Sequence, residues 1–164
     1  RQDVPTGELG EIVLRGPTVM KGYFGLPEET TKVIKDVWLY SGDLARADEE
    51  GLLSIVDRKK YMIFTWGENV SPREVEEVLF SHPDVLKAAV FSLPDPKWGE
   101  KVVAAVIPRK GQSVKAEQIQ AFVKERLAGF KVPKKIIFTE SFPEAGAGKV
   151  QKNVLKKIYA NDKG

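Results

Sequence analysis

The 164-residue sequence contains no cysteine. Disulfides and thiolate metal sites are therefore excluded, and a reducing compartment, the cytoplasm, is the expected setting. Histidine occurs once, as His82, and no Ser-His-Asp arrangement can be assembled around it. A surface place at a helix end is expected for it. No apolar run is long enough to span a bilayer, and no secretory signal is visible. Strong charge of one sign is missing too. The formal net charge is +3, and the basic residues are spread out with no aromatic-rich basic patch, so nucleic acid is not an expected partner. Methionine is absent from the first position, and Arg1-Gln2-Asp3-Val4-Pro5 leads directly into strand-like sequence. These features lead us to expect a fragment of a longer protein.

Hydrophobic residues make up 42% of the chain and charged residues 30%, enough for a buried core and an ordinary solvated surface. At this length the chain fits one domain, or one domain and a piece of another. Residues 1–58 read as β-rich and glycine-punctuated. Residues 7–16 alternate apolar positions like a hairpin, and residues 38–40, 44–46 and 52–56 are short strand candidates. Asp48-Glu49-Glu50-Gly51 is a turn signal, and residues 27–33 suit a short helix with Pro27 in its first turn. The four charged residues Asp57-Arg58-Lys59-Lys60 suit an exposed connector.

Beyond the connector, helix and strand patterns mix. Ser71-Pro72-Arg73-Glu74 carries a serine cap, a proline at the first helical position and a glutamate three residues after the cap. Val75, Val78 and Leu79 follow on one face, and His82-Pro83 ends the helix. Residues 85–91, 102–107 and 135–138 read as strands. Apolar residues recur at helical spacing at Ile119, Phe122, Val123 and Leu127. A last helix spans residues 150–159, with Val154, Leu155 and Ile158 inward. The expected fold class is α+β: a small sheet flanked by helices, preceded by a β-rich segment.

Three segments offer chemistry. Asp43, in Tyr40-Ser41-Gly42-Asp43-Leu44, reads as an aspartate in a tight turn at a strand end. An ionised carboxylate only accepts hydrogen bonds, so it suits a pair of ribose hydroxyls; it equally suits the backbone N–H groups of its own turn. Arg58 offers a planar donor for ribose or phosphate oxygens, or a surface pair with Asp57 or Asp36. Lys149, in Gly146-Ala147-Gly148-Lys149-Val150-Gln151-Lys152, can approach a ligand from a glycine loop and stabilise charge as it shifts between a carboxylate and a phosphate. It can also be a solvated member of a basic tail with Lys152, Lys156 and Lys157. The segment is not a P-loop: Pro143 replaces the first glycine and Val150 the required Ser or Thr. Asp95 and Glu100 form a candidate cation pair, for which a solvated loop is the plainer reading.

Tyr-Ser-Gly-Asp-Leu, then Asp57-Arg58-Lys59-Lys60, then Gly67-Glu68-Asn69-Val70-Ser71-Pro72-Arg73-Glu74, then Gly148-Lys149-Val150-Gln151-Lys152 resemble, in order and spacing, the adenylate-forming enzymes. These include acyl- and aryl-CoA synthetases, nonribosomal-peptide adenylation domains and beetle luciferases. The Gly-Glu-Asn-Val form and Lys60 look most like the acyl-CoA synthetases. The resemblance implies that residues 1–58 are the β-rich end of a large adenylation domain, residues 59–60 a hinge, and residues 61–164 a C-terminal lid domain. It also implies two half-reactions, in which a carboxylate is activated by ATP as an acyl-adenylate and the CoA thiol then displaces AMP after the lid swings.

In that scheme Asp43 and Arg58 contact the nucleotide, Lys60 is the hinge residue, and Lys149 is the catalytic lysine of adenylation. Trp66, Gly67 and Glu68 line the pantetheine tunnel. The implied ligands are ATP, CoA and a small-molecule carboxylate, with Mg2+ accompanying ATP on ligands outside this chain. The large N-terminal domain is the implied partner, and a homo-oligomer is compatible with the scheme. Its phosphate-gripping loop and acyl pocket have no counterpart here, so the chain is expected to be inactive alone. Two residues depart from the family pattern: Tyr61 stands where an acidic residue is usual, and Trp66 where glycine is common. Trp66 can narrow or stack on the pantetheine path, or it can pack against Pro72 and neighbouring loops. Two other readings stay open. One is a noncatalytic binding module using the basic residues between 131 and 157, and the other is an adenylation unit that loads a carrier protein.

Overall fold

The computed structural model describes residues 2–160. The chain divides into two compact units, Arg1–Lys60 and Tyr61–Gly164.

The first unit is built on a four-stranded antiparallel sheet. Its elements are β1 (Gly10–Leu14), α1 (Pro27–Val33), β2 (Ile34–Lys35), β3 (Trp38–Ala47) and β4 (Leu53–Arg58). β3 is the central strand, pairing with each of the other three. The hairpin expected at residues 7–16 does not form. β1 takes β3 as its partner instead, with Gly10 opposite Ala45 and Leu14 opposite Leu39.

The two short strands expected at 38–40 and 44–46 are one continuous ten-residue strand. It absorbs Ser41-Gly42 as a bulge, because the pairing advances from Glu11 to Val13 on β1 while it retreats from Leu44 to Tyr40 on β3. Gly42 has φ +74°, a value glycine adopts without a Cβ penalty. β2 and β3 are joined by Asp36-Val37, whose φ values are +48° and +64°. Positive φ at both central residues is the sign pattern of a type I′ hairpin turn.

The second unit is three-layered. Its elements are β5 (Ile63–Thr65), β6 (Glu68–Val70), α2 (Pro72–Phe80), β7 (Val85–Asp95), β8 (Gly99–Pro108), α3 (Ala116–Lys124), β9 (Lys135–Phe138), β10 (Glu144–Ala145), β11 (Lys149–Val150) and α4 (Lys152–Ala160). β6, β5, β8 and β7 are hydrogen-bonded in that order, and β9 runs parallel to β8. The alternation of side chains along a strand divides the core. Ala88 and Val90 of β7, with Val102, Ala104 and Val106 of β8, meet Val75, Leu79, Ile119 and Val123 of α2 and α3. Ala89, Phe91 and Leu93, with Val103 and Ala105, meet Phe142 and Leu155 on the other face.

Residues 96–98 form the loop that joins β7 to β8. Asp95 Oδ1 accepts from the N–H groups of Lys97 and Trp98, at 3.0 and 3.1 Å, and Gly99 takes φ +75°. This is the three-residue loop closed by a glycine bulge. Ser71 caps α2 by accepting from Glu74 N–H at 3.3 Å. The carboxylate of Glu74 is held by Lys131 Nζ, at 2.6 and 2.7 Å. Two details differ from expectation. His82 is 7% exposed: its Nδ1 accepts from Asp84 N–H at 3.1 Å and its ring packs edge-on to Phe122, so it closes the end of α2 from within. Ile158 is 54% exposed; Tyr159 turns inward instead, stacked on Phe91. Among the described residues no helix is long and apolar enough to cross a membrane.

Leu79 is fully buried between α2 and the sheet. Leu79→Ala should therefore lower the stability of this unit by about 2–5 kcal/mol, read as a shift of the urea midpoint with an unchanged slope.

Candidate functional site

Asp43 and Arg58 are brought together. They lie directly opposite each other on β3 and β4, so the Asp43 carboxylate stands in mid-strand beside the Gly42 bulge and not in a terminal turn. Arg58 Nε lies 3.0 Å from Asp43 Oδ1, with the two side chains 42% and 36% exposed. The Nε atom itself is enclosed, and no acceptor lies in its hydrogen-bonding direction among the described residues. The contact is thus an ion pair at short range, poorly aligned as a hydrogen bond. Arg58 Nη2 donates to Ser41 O at 3.2 Å. The Asp57 carboxylate receives the Arg58 backbone N–H at 2.7 Å.

The bulge that carries Asp43 is locked by side chains. Ser41 Oγ donates to Ile12 O at 2.8 Å and accepts from Asp43 N–H at 3.0 Å. Gly42 N–H donates to Glu11 Oε1 at 3.2 Å. The result is a preset, half-exposed carboxylate with oxygens able to accept from neighbouring hydroxyls and a guanidinium fixed beside it.

Lys60 lies in a 3-10 turn, Lys59–Tyr61. The residues flanking it are anchored. Lys59 Nζ contacts Glu11 Oε2 at 2.8 Å, and Met62 is 7% exposed.

Trp66 and Gly67 form the two-residue turn between β5 and β6, closed by Thr65 opposite Glu68. Their φ values are +55° and +79°, again the type I′ pattern. Glycine accepts this freely, whereas a bulky residue at positive φ is an outlier. Trp66 does not pack into the core: it is 68% exposed. Its N–H donates to Trp98 O at 3.2 Å and its ring stands edge-on to Trp98 at 4.7 Å between centroids. Thr65, Trp66, Trp98, Gly129, Phe130 and Lys134 line a pocket of about 100 Å³. Lys97 and Lys134 place their ammonium groups 4.6 and 5.7 Å from the Trp98 ring centre. Sequence reasoning passed over Trp98, Phe130 and Lys134. A tryptophan in an exposed hairpin loop was the available signal.

Lys149 opens β11, directly after the 3-10 turn Gly146–Gly148. It pairs across the short hairpin with Ala145. Gly148 has φ +73°, which reserves that position for glycine. Lys149 is exposed and makes no ion pair with another described residue. The neighbouring charges are engaged elsewhere: Glu144 holds Lys87 at 3.1 Å, Lys152 holds Glu76 at 2.7 Å, and Lys156 donates to Ser92 Oγ at 2.8 Å. The carboxylates of Asp95 and Glu100 each take hydrogen bonds of their own. Asp95 closes its own loop, while Glu100 accepts from Ser92 Oγ at 2.6 Å and from Phe64 N–H at 2.8 Å. Among the described residues no group of three or more carboxylate or imidazole side chains could hold a metal ion.

Residues 74–149 match the family model described as the AMP-binding enzyme C-terminal domain. A feruloyl-CoA synthase of Amycolatopsis sp is 46% identical over 158 residues, which cover 96% of this chain and 32% of that protein. A medium/long-chain-fatty-acid–CoA ligase of Mycobacterium tuberculosis is 44% identical over 163 residues, covering 95% of this chain and 28% of that protein. Among solved structures, ATP-bound MatB from Rhodopseudomonas palustris matches with a TM-score of 0.89 at 38% identity, over 98% of this chain and 32% of that chain. The chain therefore spans about a third of the length of the relatives it matches.

Proposed function

We propose that this chain, which belongs to the adenylate-forming enzymes and matches the C-terminal portion of their acyl-CoA synthetases, supplies the nucleotide-binding pair, the hinge and the mobile lysine of an ATP-dependent acyl-CoA synthetase. Residues 1–58 are the end of the large domain, residues 59–60 the hinge, and residues 61–164 the lid. The observation that carries this reading is Lys149: a cation on a glycine-shaped hairpin, without an ion-pair partner among the described residues, followed by lysines that are held by partners.

In the first half-reaction a carboxylate oxygen attacks the α-phosphorus of ATP, forming the acyl-adenylate and releasing pyrophosphate. Asp43 accepts from the ribose hydroxyls, and Arg58 fixes that carboxylate and offers N–H groups to nucleotide oxygens. Lys149 bridges the attacking carboxylate and the phosphate, where negative charge is greatest in the transition state. Mg2+ enters with the ATP phosphates, and the residues described here form no centre of their own for it. In the second half-reaction the lid turns about Lys60, Lys149 leaves, and the face bearing Trp66, Gly67 and Glu68 meets the nucleotide. The CoA sulfur attacks the acyl carbon, the thiol proton is lost, and AMP departs.

The Trp66–Trp98 pocket suits CoA because it combines aromatic faces with two ammonium groups, matching a planar base that carries phosphates. A base stacked on an aromatic side chain contributes about 1–3 kcal/mol. Trp98→Ala should therefore raise the KM for CoA by about 5- to 150-fold and leave carboxylate-dependent ATP–pyrophosphate exchange unchanged. Equal losses in both assays would remove the pocket from the CoA path. For the reading as a whole, the purified chain should turn over neither ATP nor CoA, and joining it to the large domain of a related synthetase should restore acyl-CoA formation. Turnover by the chain alone would contradict the division of roles.

A further inference from the structure

The ion pair between Lys152 and Glu76 lies outside the groups assigned above. Lys152 is the first residue of α4, three positions after Lys149. Its Nζ lies 2.7 Å from Glu76 Oε1, and the two side chains are only 15% and 14% exposed. The same Glu76 oxygen accepts from Val90 N–H at 2.6 Å. Among the described residues β7 pairs with β8 alone, so this is a backbone donor on an edge strand. α2 and α4 pack on opposite faces of the sheet, and the pair joins them around that edge. The ammonium also lies 5.5 Å from the centre of the Tyr61 ring, at the residue after Lys60.

Stability alone does not account for this arrangement. A lysine at a helix N-terminus faces the positive end of the macrodipole. A largely buried ion pair recovers little more than its desolvation cost, and apolar residues of similar volume would do as well. What the pair supplies is register. α4 buries only Leu155 fully, and Tyr159 stacks on Phe91 one turn later, so apolar packing holds its second half and leaves its first turn to polar contacts. Charged contacts fix the rest: Lys152 to Glu76 at its first turn, and Lys156 to Ser92 one turn later. Gln151 N–H bonds Pro143 O at 2.8 Å, and Gln151 O accepts from Val154 and Leu155 N–H groups. The hairpin bearing Lys149 is thereby continuous with the first turn of α4.

We propose that Glu76, acting through Lys152, is a positioning residue that sets the direction of Lys149 for the activation step. The proposal rests on the acyl-CoA synthetase reading above. Misplacing a catalytic group by about 1 Å can cost about 100-fold, so a tether this close in sequence has leverage on the rate.

The test uses a complete synthetase carrying this chain, with both half-reactions measured separately. Glu76→Gln and, as a second route to the same loss, Lys152→Met should each lower the kcat of ATP–pyrophosphate exchange by about 10- to 100-fold, with little change in the KM for ATP. Thioester formation from supplied acyl-adenylate should be retained. Lys152→Arg, which keeps charge and reach, should recover most of the rate lost in Lys152→Met. Equal loss in both half-reactions together with a lowered Tm would make the pair structural, and no loss in either would overturn the proposal. Lys149→Ala serves as the control in the same assays. If it fails to lose exchange selectively, the synthetase reading falls. If it behaves as expected while the Glu76 and Lys152 variants do not, only the positioning role falls.

Discussion

Lys149→Ala, in a synthetase carrying this chain, should lower carboxylate-dependent ATP–pyrophosphate exchange by about 100- to 1000-fold, the usual cost of removing one preorganised group from a developing anion. Thioester formation from a preformed acyl-adenylate should continue at its normal rate. The asymmetry follows from which transition state uses the charge: an interaction made only in the first cannot slow the second. The fold already separates Lys149 from its neighbours. Its ammonium has no ion-pair partner among the described residues, whereas Lys152 and Lys156 are held by Glu76 and Ser92. Removing Lys149 therefore exposes no buried countercharge, and the Tm should stay the same. A variant that lost both half-reactions equally would contradict the two-state role.

Lys60→Pro should give the converse pattern. Adenylation should keep its rate, and thioester formation should slow by about tenfold or more, equivalent to at least about 1.4 kcal/mol of added barrier. Proline fixes φ near −65° and restricts the residue before it, so the backbone rotation a hinge must absorb is removed. The flanking anchors sharpen the effect. Lys59 is tied to Glu11 and Met62 is buried, so neighbouring residues are poorly placed to take over the rotation. Single-turnover measurements of each step distinguish this from general damage, which would slow both.

Much of the fold was legible because its signals are local. The Ser71-Pro72 start of α2, the Ile119 and Val123 stripe of α3 and the continuous apolar runs of β7 and β8 each state their burial directly in the sequence. What escaped depends on partners far along the chain or on residues used against their preference. β1 gives no sign that β3 will pair with it. Asp36-Val37 and Trp66-Gly67 are type I′ turns without the usual Asn-Gly or Asp-Gly signature, and Val37 and Trp66 hold positive φ only because the flanking strands close the turn. His82 looked like a surface residue, since a single position cannot show that Phe122 will cover it.

The candidate site divides in the same way. Asp43, Arg58 and Lys149 are proposed from residue type and order, and the structure places Asp43 and Arg58 on facing strands. Trp98 and Lys134 converge from separate loops on the turn at Trp66. The Glu76–Lys152 pair joins helices from opposite layers. Neither grouping has a sequence spacing that would announce it.

The central claim is that one ammonium enters the nucleotide site for activation and leaves it before the thiol attacks. Two crystal structures of a complete synthetase bearing this chain test it most directly, one with a carboxylate and a non-hydrolysable ATP analogue, the other with an acyl-adenylate analogue and CoA. The mobile-lysine mechanism predicts Lys149 Nζ within hydrogen-bond reach, about 3 Å, of carboxylate and α-phosphate oxygens in the first, and withdrawn from the site in the second. Finding Nζ remote from the phosphorus in both would contradict it.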